Sequence, residues 1–392
     1  MGRALIVQMA RLGDLVQTLP VIAALKARDP EGILDLLCPA HLASLARQFP
    51  GISQVLEWDG PAWRDRALTA SPRLGPQHLT EADRHLSGLA PQLYDRAYVL
   101  NQHARALLAG ALLARSAKGP RLKGPLDEAL SPWATYLREA ARTRHGQRVH
   151  LADAFCGLCG VDPPGKPPIL TPAATALPPD LEQVGSQNGS WVGLIVGAGD
   201  DERLVPVEVW RHVITRFQNS VPNGRIVLLG QEQERAKQIQ EALPSSMLGR
   251  IWDAAGRTTL LQLAVLLARC RTVIGADTGP LHLAAAVGTP VIGWYFGRAR
   301  VHDTGPYGRQ HVIWQATGHA TPSDPHLLQP SQWPIEGTIA DLLGQGAPRT
   351  DGWSLWTSHC DAQGAYYVES GCEPIAPPER AALWRRLQPL AT

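Results

Sequence analysis

The chain has 392 residues, 44% hydrophobic and 18% charged, with a formal net charge of +2. That length exceeds one ordinary core and predicts two domains, while the composition excludes global disorder and the small net charge excludes a whole-chain polyanion-binding signature. No run reaches the roughly 18 apolar residues that cross a bilayer, and the opening MGRALIVQ reads as a strand without a cleavable apolar core, so a cytoplasmic location is expected.

RALIVQ (Arg3–Gln8) is the first predicted strand, followed by the loop MARLGD and a helix to about Ala27. ILDLLCP is the next strand, HLASLARQFP a helix and VLEWDG a third strand. Residues 60–92 are polar and irregular. YDRAYVLNQ then reads as a strand, ARALLAGALLAR as a helix and HLADAFCGLCG as the last helix of this half. Alternating strand and helix is the pattern of a doubly wound parallel sheet. Residues 1–150 carry 19 Lys+Arg against 13 Asp+Glu, and the remainder 18 against 22. The excess lies between Arg96 and Arg148, where ten basic residues face only Asp127, Glu128 and Glu139. Such a stretch is either a solvated basic face or an attractor of an anionic acceptor or lipid surface.

The proline-rich run VDPPGKPPILTPAATALPPD is the candidate linker. Beyond it the alternation resumes: WVGLIVGAG, GRIVLLGQ and TVIGAD as strands, with VPVEVWRHVITRF, QERAKQIQEAL and TTLLQLAVLLARC as helices. The predicted boundaries are 1–170 for an N-terminal domain and 171–345 for a C-terminal domain. Residues 346–392 form a tail in which WSLWTSHC and AYYVES pair as a hairpin and PPERAALWRRL makes a closing helix.

The densest chemistry is GADTGPLHLAAAVGTP, Gly275–Pro290. Asp277 stands where a strand ends, Thr278 is placed to cap the following helix and Pro280 suits its first position. Gly279 lets backbone N–H groups approach a ligand, and a helix N-terminus is suited to a diphosphate. His282, on the first turn, is placed to reach a phosphate oxygen. A well-capped helix with a buried histidine fits the same residues. Near the start, Gly13 and Asp14 follow a strand and open a helix. Asp14 reads either as an N-cap or as a general base at a strand's carboxyl end. Cys156 and Cys159 share a helix face, and Cys360 and Cys372 lie in the tail. Together they read as a metal or iron–sulfur site or as small core residues.

LGDLVQTLP together with DTGPLHLAAAVGTP resembles the ADP-heptose:lipopolysaccharide heptosyltransferase family, glycosyltransferase family 9, over most of residues 1–345. The resemblance implies an α/β protein of GT-B fold, two Rossmann-like doubly wound parallel-sheet domains facing each other across a cleft. It implies that Asp14 is the catalytic base, beside Gly13 in the acceptor-side loop. Asp277, Thr278, Gly279 and His282 would hold the donor's diphosphate and ribose side. In GAGDDERLVPVEVW, Arg203 falls where the family carries a lysine and Val205 where it carries a tryptophan. Glu234 matches a family acid near the nucleotide, or is a solvated helix-start residue. FGRARVHDTGPYG occupies the position that contacts the donor sugar, or is a Gly/Pro-shaped turn. The closing segment of such folds returns to the first domain, which would bring the four cysteines together.

The implied activity is transfer of heptose from an ADP-sugar or other nucleotide-diphosphate sugar to a hydroxyl of a lipopolysaccharide-core or related surface glycan. It would invert the anomeric carbon and need no metal or other cofactor. The implied partners are that donor and a glycolipid or glycan acceptor, with peripheral contact at the cytoplasmic membrane face and no nucleic acid. Two other classes remain open: a GT-B-type sugar-nucleotide epimerase, and a non-catalytic nucleotide-sugar-binding protein.

Overall fold

Short β-branched and leucine-rich segments in each half bury nearly every side chain, which suits strands covered on both faces by helices. The computed structural model describes residues 2–59, 88–122, 128–143, 149–185, 191–317, 328–373 and 375–388. Most of the irregular stretch read at 60–92, and parts of the basic stretch, lie outside them. Contacts divide the chain into two units, Met1–Pro168 with Pro378–Thr392, and Ile169–Pro377.

The first unit is built on β1 (Arg3–Val7), β2 (Ile33–Pro39), β3 (Val55–Trp58), β4 (Arg96–Val99) and β5 (Ala117–Lys118). They form one parallel sheet in the order β3-β2-β1-β4-β5. Val7 pairs with Leu37 on one side and Val99 on the other. Its helices are α1 (Leu12–Val16), α2 (Leu19–Arg28), α3 (Ala43–Ala46), α4 (Ala104–Leu113), α5 (Pro132–Thr143) and α6 (Leu151–Cys159). Arg121–Leu122 and Glu128–Ala129 add a small antiparallel ribbon of β6 and β7.

The single helix expected up to Ala27 is broken between α1 and α2. Pro20 sits in the first turn of α2. It has no N–H for the carbonyl four residues back, so a helix cannot run through it unbroken. Across α5 and α6, Gly157 lies flat against the indole of Trp133; a Cβ there would stand 2.2 Å from the ring.

The second unit contains β8 (Trp191–Ile195), α7 (Val207–Ser220), β9 (Arg225–Leu229), α8 (Gln233–Glu241), α9 (Ser245–Leu248) and β10 (Ile251–Asp253). It continues with α10 (Leu260–Arg269), β11 (Thr272–Ala276), α11 (Gly279–Ala286), β12 (Val291–Tyr295) and α12 (Val301–Thr304). Then follow β13 (Val312–Ala316), α13 (Ile335–Leu342), β14 (Trp353–Asp361) and β15 (Gly364–Glu369). The sheet order is β10-β9-β8-β11-β12-β13-β14-β15, parallel up to β13 and antiparallel through the last two pairings. Both units therefore carry the strand order of a Rossmann-like domain.

Residues 346–392 do not stand apart as a tail. Their hairpin, β14 and β15, extends the second sheet from β13. The closing helix, α14 (Pro378–Leu387), belongs to the first unit. Trp384 explains why: its ring packs 4.5 Å from that of Trp133, and its indole N–H donates to Asp162 at 3.1 Å.

Nine tryptophans are buried among the described residues, where they serve as packing. In the second unit Trp210 stacks on Trp294 at 5.2 Å, with Trp333 and Trp353 beside them. Trp314 donates to Asp341 at 3.1 Å, and burial nevertheless pushes the Asp341 carboxyl up to about 6. A carboxyl raised in the folded state favours folding most below its ordinary value and loses that contribution as pH rises through about 6. Asp341→Asn keeps an oxygen for the indole, and should stabilise the protein at pH 7 by about 2 kcal/mol while leaving stability near pH 4 unchanged. Denaturant melts at the two pH values read the difference; equal effects at both would show that burial of the charge is not what costs stability.

Candidate functional site

In each sheet the chain reverses its direction of strand addition beside the central strand, and parallel sheets bind ligands at the carboxyl ends of those strands. In the first unit that point lies between β1 and β4. Asn101, just past β4, accepts from the Met9 N–H at 2.6 Å and donates to the buried Gln8 side chain at 2.6 Å. Gln8 in turn donates to the Asp14 carbonyl at 3.2 Å, and the Thr18 hydroxyl donates to the same carbonyl at 3.0 Å. This network fixes the Asp14 backbone at the switch point. Asp14 is half-buried, and its carboxylate accepts from the Arg11 N–H at 3.3 Å.

Asp14 is therefore not the N-cap: Arg11 is, and Asp14 is the third helical residue reaching back to it. Gly13 precedes it in the first turn, with its carbonyl accepting from Gln17.

In the second unit the switch point lies between β8 and β11. β11 delivers Asp277 to its end, and Thr278 starts α11 in extended conformation. Thr278 caps that helix with its backbone only; its carbonyl accepts from the N–H groups of Leu281 and His282. The side chain makes no capping bond: Pro280, at the second helical position and not the first, has no N–H to give, and the Leu281 N–H goes to the Thr278 carbonyl. The Thr278 hydroxyl is buried with no hydrogen-bond partner, and so is Nδ1 of His282. Among the described residues the N–H groups of Thr278 and Gly279 also make no hydrogen bond.

Asp277 itself is tied on three sides. His282 Nε2 lies 3.1 Å from Oδ1, and since a carboxylate only accepts, that nitrogen carries the hydrogen. The Thr304 hydroxyl donates to Oδ2 at 3.2 Å. The Asp277 carbonyl accepts from Arg203 Nη1 at 2.7 Å. His282 is 5% exposed and Asp277 13%. Tyr295, at the end of β12, donates to the Thr304 carbonyl at 2.8 Å. Burial and then the nearby Asp277 push its phenol well above the ordinary value, so it keeps the proton it donates.

Arg203, in GAGDDER, is held by protein groups on two sides. Its Nε and Nη2 clasp the Asp200 carboxylate at 2.6–3.0 Å while Nη1 holds Asp277. Two of its five N–H groups are left over. Glu234, on the first turn of α8, is exposed. The acid that reaches the β8 loop is Glu232, whose carboxylate rests where a Gly197 Cβ would be, 1.5 Å from that position. Only glycine permits that approach. Arg235 donates to the Val196 carbonyl at 3.0 Å and also to that of Val205, holding the same loop from below.

The profile described as glycosyltransferase family 9 (heptosyltransferase) matches residues 84–326, more than half of the chain. The chain belongs to that family. It is 24% identical over 302 residues to lipopolysaccharide heptosyltransferase 2 of Salmonella typhimurium, covering 75% of this chain and 82% of the relative. To lipopolysaccharide heptosyltransferase 1 of Pseudomonas aeruginosa it is 26% identical over 324 residues, covering 79% and 82%. The solved structure of E. coli heptosyltransferase WaaC with ADP superimposes with a TM-score of 0.62 at 20% identity, over 87% of this chain and 99% of that one. E. coli ADP-heptose lps heptosyltransferase II gives 0.58 at 18% identity, over 87% and 98%. The protein is thus a glycosyltransferase of GT-B fold, with two Rossmann-like domains.

Of the two readings of the cysteines, small core residues fit Cys156 and Cys159. Cys156 and Cys159 belong to the first unit and Cys360 and Cys372 to the second. Among the described residues no group of three or more His, Cys, Asp or Glu is placed to hold a metal ion. Burial pushes the thiols of Cys156 and Cys159 well up, which favours the uncharged form over a thiolate ligand. Both are packed core residues of α6. Among the described residues no helix is long and apolar enough to cross a membrane.

Proposed function

We propose that the enzyme transfers heptose from ADP-heptose to a hydroxyl of a lipopolysaccharide-core acceptor, with inversion and without a metal. The observation that carries the donor half is the start of α11: free N–H groups on Thr278 and Gly279, beside a buried hydroxyl and a buried ring nitrogen without partners. Buried polar groups are normally satisfied, so a set of orphans at the positive end of an eight-residue helix suits the oxygens of a diphosphate. The two leftover N–H groups of Arg203 add a fork for the same phosphates. Glu232, in place of Glu234, is the acid assigned to the nucleoside side. ADP and heptose come from the names of the similar proteins, WaaC with ADP and the lipopolysaccharide heptosyltransferases.

In this reading Asp14 takes the proton of the acceptor hydroxyl as its oxygen bonds to the anomeric carbon. The bond from that carbon to the diphosphate oxygen breaks, and ADP leaves with the electron pair. Charge grows on the departing diphosphate, where the helix start and Arg203 stabilise it. Thermal shift of the full chain tests the donor assignment. ADP and ADP-heptose at about a hundred times Kd should each stabilise the fold by about 2.7 kcal/mol, UDP-sugars by much less. No shift with any adenine diphosphate would overturn it.

A further inference from the structure

Asp277 places a carboxylate beside the helix start to which the proposed function assigns a diphosphate. Like charges in one site repel, so the arrangement works only if that carboxylate is turned elsewhere and kept there. His282 Nε2 donates to Oδ1 and the Thr304 hydroxyl to Oδ2, with the Tyr295 phenol also beside the carboxylate. His282 lies on α11 itself. Thr304 comes from the far side, at the end of α12, beyond β12.

The segment that carries Thr304 does not need its hydroxyl to hold its own course. The buried Gln315 side chain accepts from the Val301 N–H at 2.9 Å and donates to the carbonyls of Tyr295 at 3.1 Å and Ala299 at 3.2 Å. Tyr295 secures Thr304 through its carbonyl, and Gly305 N–H closes back on Val301 at 2.9 Å. The loop is braced by its backbone, and the hydroxyl is directed at Asp277.

We propose that Thr304 is a positioning residue for the donor site. It holds the Asp277 carboxylate turned away from the diphosphate and squared to His282, so that the helix start meets the anion without an opposing charge. Removing the hydroxyl takes its donor from Oδ2 and leaves the Tyr295 phenol beside the carboxylate; the carboxylate then pivots, repels the donor and loses its alignment with the imidazole. The proposal rests on the donor-site reading, and its test separates the two.

ADP is the probe, measured by calorimetry on the full chain with melting temperature as the check on folding. Thr304→Val keeps the shape and removes the hydroxyl, so Kd for ADP and KM for the donor should rise about tenfold while kcat changes much less. Thr304→Ser restores the donor atom and should return both to within about twofold of wild type. Because Thr304 acts through the Asp277–His282 pair, the loss in His282→Ala/Thr304→Val should fall well short of the product of the single losses. Thr304→Ala serves in the same comparison if valine disturbs the melt. Unchanged ADP affinity in the hydroxyl-free variant, a serine variant as weak as valine, or fully multiplicative losses would each overturn the proposal. If His282→Ala binds ADP as wild type does, the donor-site reading itself has failed, and the role of Thr304 falls with it.

Discussion

Asp14→Asn is expected to lower turnover by about 10²–10⁴-fold, the range typical of losing a general base. Donor affinity should stay near wild type, because the orphaned groups assigned to the diphosphate belong to the other unit. The substitution is close to isosteric, and its amide oxygen still accepts from the Arg11 N–H that the carboxylate now holds at 3.3 Å. The ties from Gln8 and Thr18 go to the Asp14 carbonyl and are untouched. The melting temperature should therefore not move. The decisive measurements are kcat with saturating acceptor, ADP affinity and the melt, taken on one preparation. A variant that turns over at nearly the wild-type rate would make Asp14 a capping residue alone, and the base would have to be sought elsewhere.

The strands and the two site motifs were legible because their signals are local. RALIV and TVIGA are short apolar runs ending in polar residues, and a strand end followed by a helix start is where Asp14 and Asp277 lie. What the sequence could not show were distances through space. Glu232 and Glu234 are equally acidic and two residues apart, and it is Glu232 that lies against Gly197, 35 positions earlier in the chain. The clasp of Arg203 on the Asp277 carbonyl spans 74 positions and has no local signal.

Thr304 falls in a stretch that read equally well as a turn, and nothing near it in sequence announces its bond to Asp277. Helix α5 went unread for a different reason. SPWATYLREAART has the required periodicity, but it sits in the basic stretch, where charge was the more conspicuous signal. The cysteines carried two readings that spacing alone does not separate. Cys156 and Cys159 have the spacing of ligands and also of a buried helix face, and it is their burial in α6 that favours the second reading.

His282→Ala and Thr278→Val should each weaken ADP binding about tenfold to a hundredfold, since a hydrogen bond to a charged group contributes roughly 1.5–3 kcal/mol. The two reach that result differently. Thr278→Val removes a buried hydroxyl that has no protein partner, so the unliganded protein loses no hydrogen bond and should melt at or slightly above the wild-type temperature. Stability retained with affinity lost is what a group reserved for a ligand gives. His282→Ala removes the ring between Asp277 and the helix start. It takes away Nδ1 and leaves Oδ1 of the carboxylate without its 3.1 Å donor. It should therefore cost some stability as well as affinity, and its affinity loss should exceed that of Thr278→Val because a partly released Asp277 charge now opposes the diphosphate. Calorimetry with ADP and paired melts measure both quantities. If neither variant changes ADP affinity, the motif is a helix start with a buried histidine, and the diphosphate must bind elsewhere in the second unit. If Thr278→Val alone binds normally, the backbone N–H groups of Thr278 and Gly279 carry the anion, and the hydroxyl is an orphan the fold tolerates.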